Sequence, residues 1–186
     1  MKFKPLIAEY KEKTKNQLTN TYFNAYLKNA VEMAGLKGDE TVLDFGCDDR
    51  RLKIFFPKSI NYVGFDIVKE KTDYKRYEDI KQRIDVAFCI HVLEHAGEKD
   101  TTKFLKWAAK KKIKKIVVVT PAKTSVSDLL SFFSGDSFIM AIHHVLDWIQ
   151  VHRLVASFYG NSKTRLVWFM SWVSLWELDK VNLNTK

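Results

Sequence analysis

The chain reads as α/β: one doubly wound domain around a mostly parallel sheet, with an antiparallel final strand. Three observations predict this. Short apolar runs alternate with helical patterns, as when parallel strands are joined by crossovers. The run Val42-Leu43 ends in Asp44-Phe45-Gly46, an acid and a glycine at a strand tip. A second acid, Asp66, closes Asn61-Tyr-Val-Gly-Phe-Asp66. A glycine turn and an acid about 20 residues later form the geometry that grips a nucleoside, with backbone at the turn and a carboxylate on the ribose hydroxyls.

Residues 1–15 are polar and lysine-rich and read as a basic arm. Residues 16–36 hold an N-terminal helix. Leu18, Tyr22, Ala25, Tyr26 and Met33 share a stripe over 16–34, and Gly35 and Gly38 end it. Then come strand 41–45, a helix near 49–56, strand 61–66, strand 84–90, a helix over 100–112 and strand 116–120. Strand 84–90 is apolar on both sides after Asp85, as buried parallel strands are. Strand 41–45 is expected to lie between 61–66 and 84–90. Residues 67–83 are polar and irregular, with room for only a remnant of a strand. From Ser125 the composition turns strongly apolar. Residues 125–160 read either as helices packed on the sheet or as a helical lid over a substrate region. A helix over 143–159 ends at Gly160. Thr164 to Leu178 is too long for one ordinary strand and reads as the last two.

A length of 186 residues suits one domain with a real core. Hydrophobic content of 46% and three prolines argue for a globular chain rather than a disordered one. The first 30 residues carry lysines and no apolar stretch of the secretory kind. Leu166 to Leu178 is interrupted by Ser171, Ser174 and Glu177 and falls short of a bilayer span. Two cysteines without such a signal point to a reducing compartment, so a cytoplasmic location is expected. The formal charge is +9. Its lysines cluster in 2–15 and 106–115, which suits an anionic surface or nucleic acid. Lys106, Lys110, Lys111 and Lys114 also fit a solvated helix face and its end.

The motifs, taken in order, resemble the class I S-adenosylmethionine-dependent methyltransferases. Val42 to Arg50 is similar to their glycine-rich first motif, and Asp66 to the acid of the second. Ile84 to His95 is similar to the fourth strand and its exit, ending in Val92-Leu-Glu-His95. That Leu-Glu-His ending is typical of the branch acting on small molecules, lipids and glycans. Ile116 to Pro121, and His144 with Leu154 to Gly160, resemble later elements of the same branch. The resemblance covers about residues 38 to 178 and implies a Rossmann-like domain with S-adenosylmethionine as cofactor. One departure stands out. Two further glycines are usual after Gly46, at positions held here by Asp48 and Arg50.

The resemblance places Asp44, Phe45, Gly46, Cys47, Asp66, Ile67 and Asp79 around the cofactor, with Glu78 an alternative to Asp79. Asp44 has two readings: a partner of the cofactor's amino group, or a cap on the turn's N–H groups. Asp66 is expected to bind hydroxyls, a role that leaves stability nearly untouched. Cys47 and Cys89 sit near the ends of strands that the resemblance makes neighbours, where a disulfide would crowd the cofactor. His91, at the exit of strand 84–90, is the candidate catalytic residue, a general base facing the acceptor. His143 and His144 are the runners-up. His91, Glu94 and His95 also have a metal-like spacing, but no cysteine completes a usual set, and no metal is expected.

The reading that follows is methyl transfer to a small-molecule, lipid or glycan acceptor. A degenerate, non-catalytic binding module is one alternative, motivated by Asp48 and Arg50. An RNA-directed methyltransferase is another, motivated by charge alone, so nucleic acid is not the favoured partner.

Overall fold

The computed structural model describes residues 17–68, 70, 72–122 and 145–178. The arm at 1–15, most of 125–160, and with it His143 and His144, lie outside the described residues.

The first helix, α1 (Gln17–Ala34), buries Tyr26, Leu27, Ala30 and Ala34. Gly35 ends it at φ 56, and the Lys115 ammonium donates to the freed Ala34 carbonyl at 2.7 Å. Strand β1 (Thr41–Phe45) pairs in parallel with β2 (Asn61–Phe65) and with β3 (Val86–Ile90). Helix α2 (Leu93–Lys110) returns the chain to β4 (Lys115–Pro121), parallel to β3. Helix α3 (Trp148–Tyr159) leads into β5 (Ser162–Val167) and β6 (Ser171–Glu177). Both of these last strands run antiparallel, β6 to β4 and β5 to β6. The order across the six-stranded sheet is β2-β1-β3-β4-β6-β5.

The fold is therefore the expected α/β domain, and β1 lies between β2 and β3 as expected. One face of the sheet buries Leu43, Phe45, Ala87 and Ile116 beneath α2 and α3. The other buries Val42, Phe88 and Val117 beneath α1. Strands covered on both faces need apolar residues at every position, and β3 is buried from Val86 to Cys89.

Several boundaries differ from the sequence expectation. The helix near 49–56 is a single 3₁₀ turn, Arg51–Phe55. Arg50 stands in the left-handed region at φ 60 just before it, and Phe56, which precedes Pro57, is extended after it, so no longer helix fits. The helix expected over 100–112 begins at Leu93 and kinks at Gly97 (φ 75, ψ 166). Its polar first turns carry no apolar period, which hid them. The helix expected from 143 is described from Trp148, where Asp147 and Gln150 cap each other at 2.8 Å. Helix α3 packs Val151, Val155 and Tyr159 into the core. Between Phe65 and Val86 the described residues include the 3₁₀ turn Tyr77–Asp79 and hold no strand. The turn between β5 and β6 needs no glycine, because Trp168 and Phe169 take φ values of 54 and 57.

Of the basic cluster, Lys106, Lys110 and Lys114 are exposed. Lys111 plays a structural part, because its ammonium donates to the Ile80 carbonyl at 2.6 Å.

Candidate functional site

The carboxyl ends of β1, β2 and β3 meet at one edge of the sheet, where open α/β folds bind ligands. The turn after β1 is bonded to the tip of β2. The Gly46 and Cys47 N–H groups both donate to the Phe65 carbonyl, at 2.7 and 3.0 Å. Gly46 has φ 83, and a Cβ on it would lie 2.7 Å from Val92 Cγ2. The glycine is thus required twice, by backbone conformation and by the approach of the chain leaving β3.

The two positions that lack the usual glycines keep a glycine-like backbone. Asp48 has φ 38 and Arg50 has φ 60. The loop follows the left-handed course with side chains attached, at a cost of about 1–2 kcal/mol for a residue such as Arg. Two carboxylates hold it there. Asp66 accepts the Asp48 N–H at 3.0 Å and the Val68 N–H at 2.9 Å. Asp73 accepts from the Arg50 guanidinium at 2.8 Å and from the Gly64 N–H at 2.7 Å. The Arg50 guanidinium also lies over the Tyr62 ring, 5.9 Å from its centroid.

Asp44 is 2% exposed and accepts a hydrogen bond from the Tyr62 hydroxyl at 2.8 Å. Burial pushes its carboxyl up to about 7, opposed by the Tyr62 hydrogen bond and reinforced by the charge of Asp66. Cys47 is buried, and its thiol is pushed up to about 12 by burial and by the Asp44 and Asp66 carboxylates. Cys47 and Cys89 are both free thiols. Phe45 stacks on Phe104 at 3.9 Å and on Phe65 at 5.3 Å, as a core residue. Ile67 is 75% exposed beside Asp66. Asp79 is exposed on the turn that begins with Tyr77, and Tyr77 packs on Phe45 and Phe65.

His91 sits one residue past β3 with φ 48, and its N–H donates to the Val119 carbonyl at 3.0 Å. Its Nδ1 lies 3.0 Å from Glu94 Oε1 and its Nε2 3.3 Å from Ser171 Oγ. Ser171 Oγ is hydrogen-bonded in turn to the Tyr22 hydroxyl. Burial pushes the Tyr22 phenol up to about 12. Glu94 is 1% exposed, and its Oε2 has no hydrogen-bond partner among the described residues. His95 is exposed on α2. No group of three or more metal-ligating side chains converges among the described residues.

Sequence reasoning missed four of these contributors. Tyr62 and Asp73 gave no signal, being one aromatic in a strand and one acid in a polar loop. Tyr22 and Ser171 lie 149 positions apart. They registered only as a stripe residue and a break in an apolar run.

A methyltransferase domain family matches residues 17–171, most of the chain, and the chain belongs to that family. No curated protein matches its sequence. Solved structures share the fold. The small RNA methyltransferase HEN1 has a TM-score of 0.61 at 15% identity over 87% of this chain. This chain spans 25% of that protein's length. The methyltransferase domain of bacterial CtHen1 has a TM-score of 0.60 at 18% identity, over 84% of this chain and all of that one. Magnesium protoporphyrin IX methyltransferase from Synechocystis PCC 6803, solved with bound SAH, has a TM-score of 0.54 at 10% identity, over 88% of each chain. Among the described residues no helix is long and apolar enough to cross a membrane.

Proposed function

We propose that this chain binds S-adenosylmethionine at the β1–β2 edge and transfers its methyl group to a small-molecule, lipid or glycan acceptor. The observation that carries the reading is the loop after β1. Its backbone is left-handed at Gly46, Asp48 and Arg50, and Asp66 stands against it at the tip of β2. The residues fit the cofactor. The Asp66 carboxylate has about four acceptor sites and uses two on N–H groups, so it can also take ribose hydroxyls. Asp44 and the Gly46-Cys47 backbone serve the amino-acid end. Ile67 and Asp79 flank the adenine.

When bound, the cofactor supplies an already activated methyl group. The protein's part is to align a nucleophile in line with it and to exclude water. That demand explains why no nucleophilic triad of the hydrolase kind is needed. His91 stands at the exit of β3, on the same edge, as the general base that takes up the acceptor's proton.

An RNA acceptor is the second reading. The net charge of +9 and the likeness to HEN1 favour it. Incubation with methyl-labelled cofactor and separated small-molecule, lipid, glycan and RNA fractions distinguishes the two. Label in the first three supports the leading reading. Label in RNA alone, with strong salt dependence, replaces it with the second.

A further inference from the structure

Four side chains from three distant parts of the sequence form one line beside the proposed cofactor site. Tyr22 comes from α1, His91 and Glu94 from the start of the β3–β4 crossover, and Ser171 from the first residue of β6. The contacts run from Tyr22 Oη to Ser171 Oγ, from Ser171 Oγ to His91 Nε2 at 3.3 Å, and from His91 Nδ1 to Glu94 Oε1 at 3.0 Å. The ring of Tyr26 packs edge-on against His91 at 5.1 Å and fixes its plane. Val92, the next residue, is the side chain pressed on Gly46. The line therefore passes, at His91, one residue from the side chain that abuts the turn proposed to hold the cofactor.

The chemistry gives the line a direction. A carboxylate only accepts, so Glu94 places the proton of a neutral His91 ring on Nδ1. Nε2 is then an acceptor, filled by the Ser171 hydroxyl, which accepts from Tyr22 in turn. Burying Glu94 at 1% exposure with one oxygen unpartnered is costly. Core packing alone does not call for such a group.

We propose that Tyr22, Ser171, His91 and Glu94 form a proton relay, and that the acceptor of this enzyme is a hydroxyl group. The inference rests on the methyl-transfer reading above. An alkyl or ribose hydroxyl must lose its proton as it is methylated, whereas a carboxylate acceptor needs no base. As the acceptor oxygen forms its bond to the methyl carbon, the carbon–sulfur bond breaks. The hydroxyl proton passes to Tyr22 Oη while Tyr22 hands its own to Ser171 Oγ. Ser171 hands its proton to His91 Nε2. The products are a methyl ether and an imidazolium against the Glu94 carboxylate. Glu94 acts through His91 as a positioning residue.

Two measurements on the full chain test this. The first is the imidazole ¹⁵N spectrum of histidine-labelled protein, with the His91 signals assigned by their loss in His91→Asn. The relay predicts a neutral ring protonated on Nδ1, with Ser171→Ala shifting Nε2 and leaving Nδ1 bonded to Glu94. A ring protonated on Nε2 overturns it. The second is labelled-methyl transfer to the fractions described above. Tyr22→Phe and Ser171→Ala should each lower the rate by about a hundredfold, the scale of general-base catalysis, without weakening S-adenosylmethionine binding. The product label should survive mild alkali, as an ether does. Release of the label as methanol marks an ester and overturns the inference, as do variants that transfer at the native rate. Absence of transfer by a folded native chain overturns the methyl-transfer reading and this inference with it. Transfer with the wrong tautomer overturns the relay alone.

Discussion

The Asp66 carboxylate accepts the backbone N–H of Asp48 at 3.0 Å, so the acid at the tip of β2 holds the loop that leaves β1. The same carboxylate takes the Val68 N–H at 2.9 Å. A group expected from the sequence to serve only a ligand thus has a structural role as well. Asp66→Ala should therefore weaken S-adenosylmethionine binding by about 1.5–3 kcal/mol and also lower stability by about 1–2 kcal/mol. Calorimetric affinity and urea unfolding read the two separately. A loss of stability with unchanged affinity would assign Asp66 to the loop alone.

Replacing Asp48 and Arg50 together with glycine should tighten cofactor binding. The backbone there is already left-handed, so glycine removes side chains and strain without redirecting the loop. Stability should change by less than about 1 kcal/mol. The relieved strain is offset by the extra chain entropy two glycines lose on folding and by the lost Arg50–Asp73 pair, which is about one-third exposed and worth little on its own. Weaker binding by the double variant would mean that Asp48 or Arg50 touches the cofactor.

Gly46→Ala should be among the most damaging single changes. A Cβ would meet Val92 Cγ2 at 2.7 Å and Val92 Cβ at 2.9 Å, at a φ of 83. Strain and overpacking together predict a loss of about 2–4 kcal/mol in chemical unfolding. Adding Val92→Ala should recover the steric part and leave the backbone part. An additive double variant would contradict the contact.

Asp44 gives a pH dependence with a definite sign. Its folded-state pKa is raised to about 7 by burial, from an unfolded value near 4. The folded chain then binds the proton more tightly than the unfolded chain does. The contribution is fully present below about pH 4 and is lost as pH rises to about 7. Against Asp44→Asn, whose amide oxygen can still accept from Tyr62, the native chain should lose stability across that window, with a ceiling of about 4 kcal/mol. Parallel unfolding curves at pH 4 and pH 8 for the two proteins would contradict the assignment.

The sheet was legible in the sequence because each parallel strand is buried on both faces and is written as a short apolar run. The placement of Asp44, Gly46, Asp66 and His91 at or just past the tips of β1, β2 and β3 was legible because each follows or closes a short apolar run. Other features were not. The first turns of α2 are polar, so periodicity missed them. The β5–β6 turn uses Trp168 and Phe169 where a glycine would have announced it. The left-handed backbone at Asp48 and Arg50 is enforced by Asp66 and Asp73, contacts that no local pattern contains. The bond between Tyr22 and Ser171 joins opposite ends of the chain, and only the folded sheet creates it.

Every functional reading above depends on the Gly46 turn and Asp66 holding S-adenosylmethionine despite the two missing glycines. Titration calorimetry of the full chain with S-adenosylmethionine and S-adenosylhomocysteine reads that binding without needing the acceptor. Both ligands should bind saturably at one site per chain, more tightly in the Asp48→Gly, Arg50→Gly pair and more weakly in Asp66→Ala. A folded native chain that takes up neither ligand, with binding absent from the glycine variant as well, would show that this edge of the sheet is not a cofactor site.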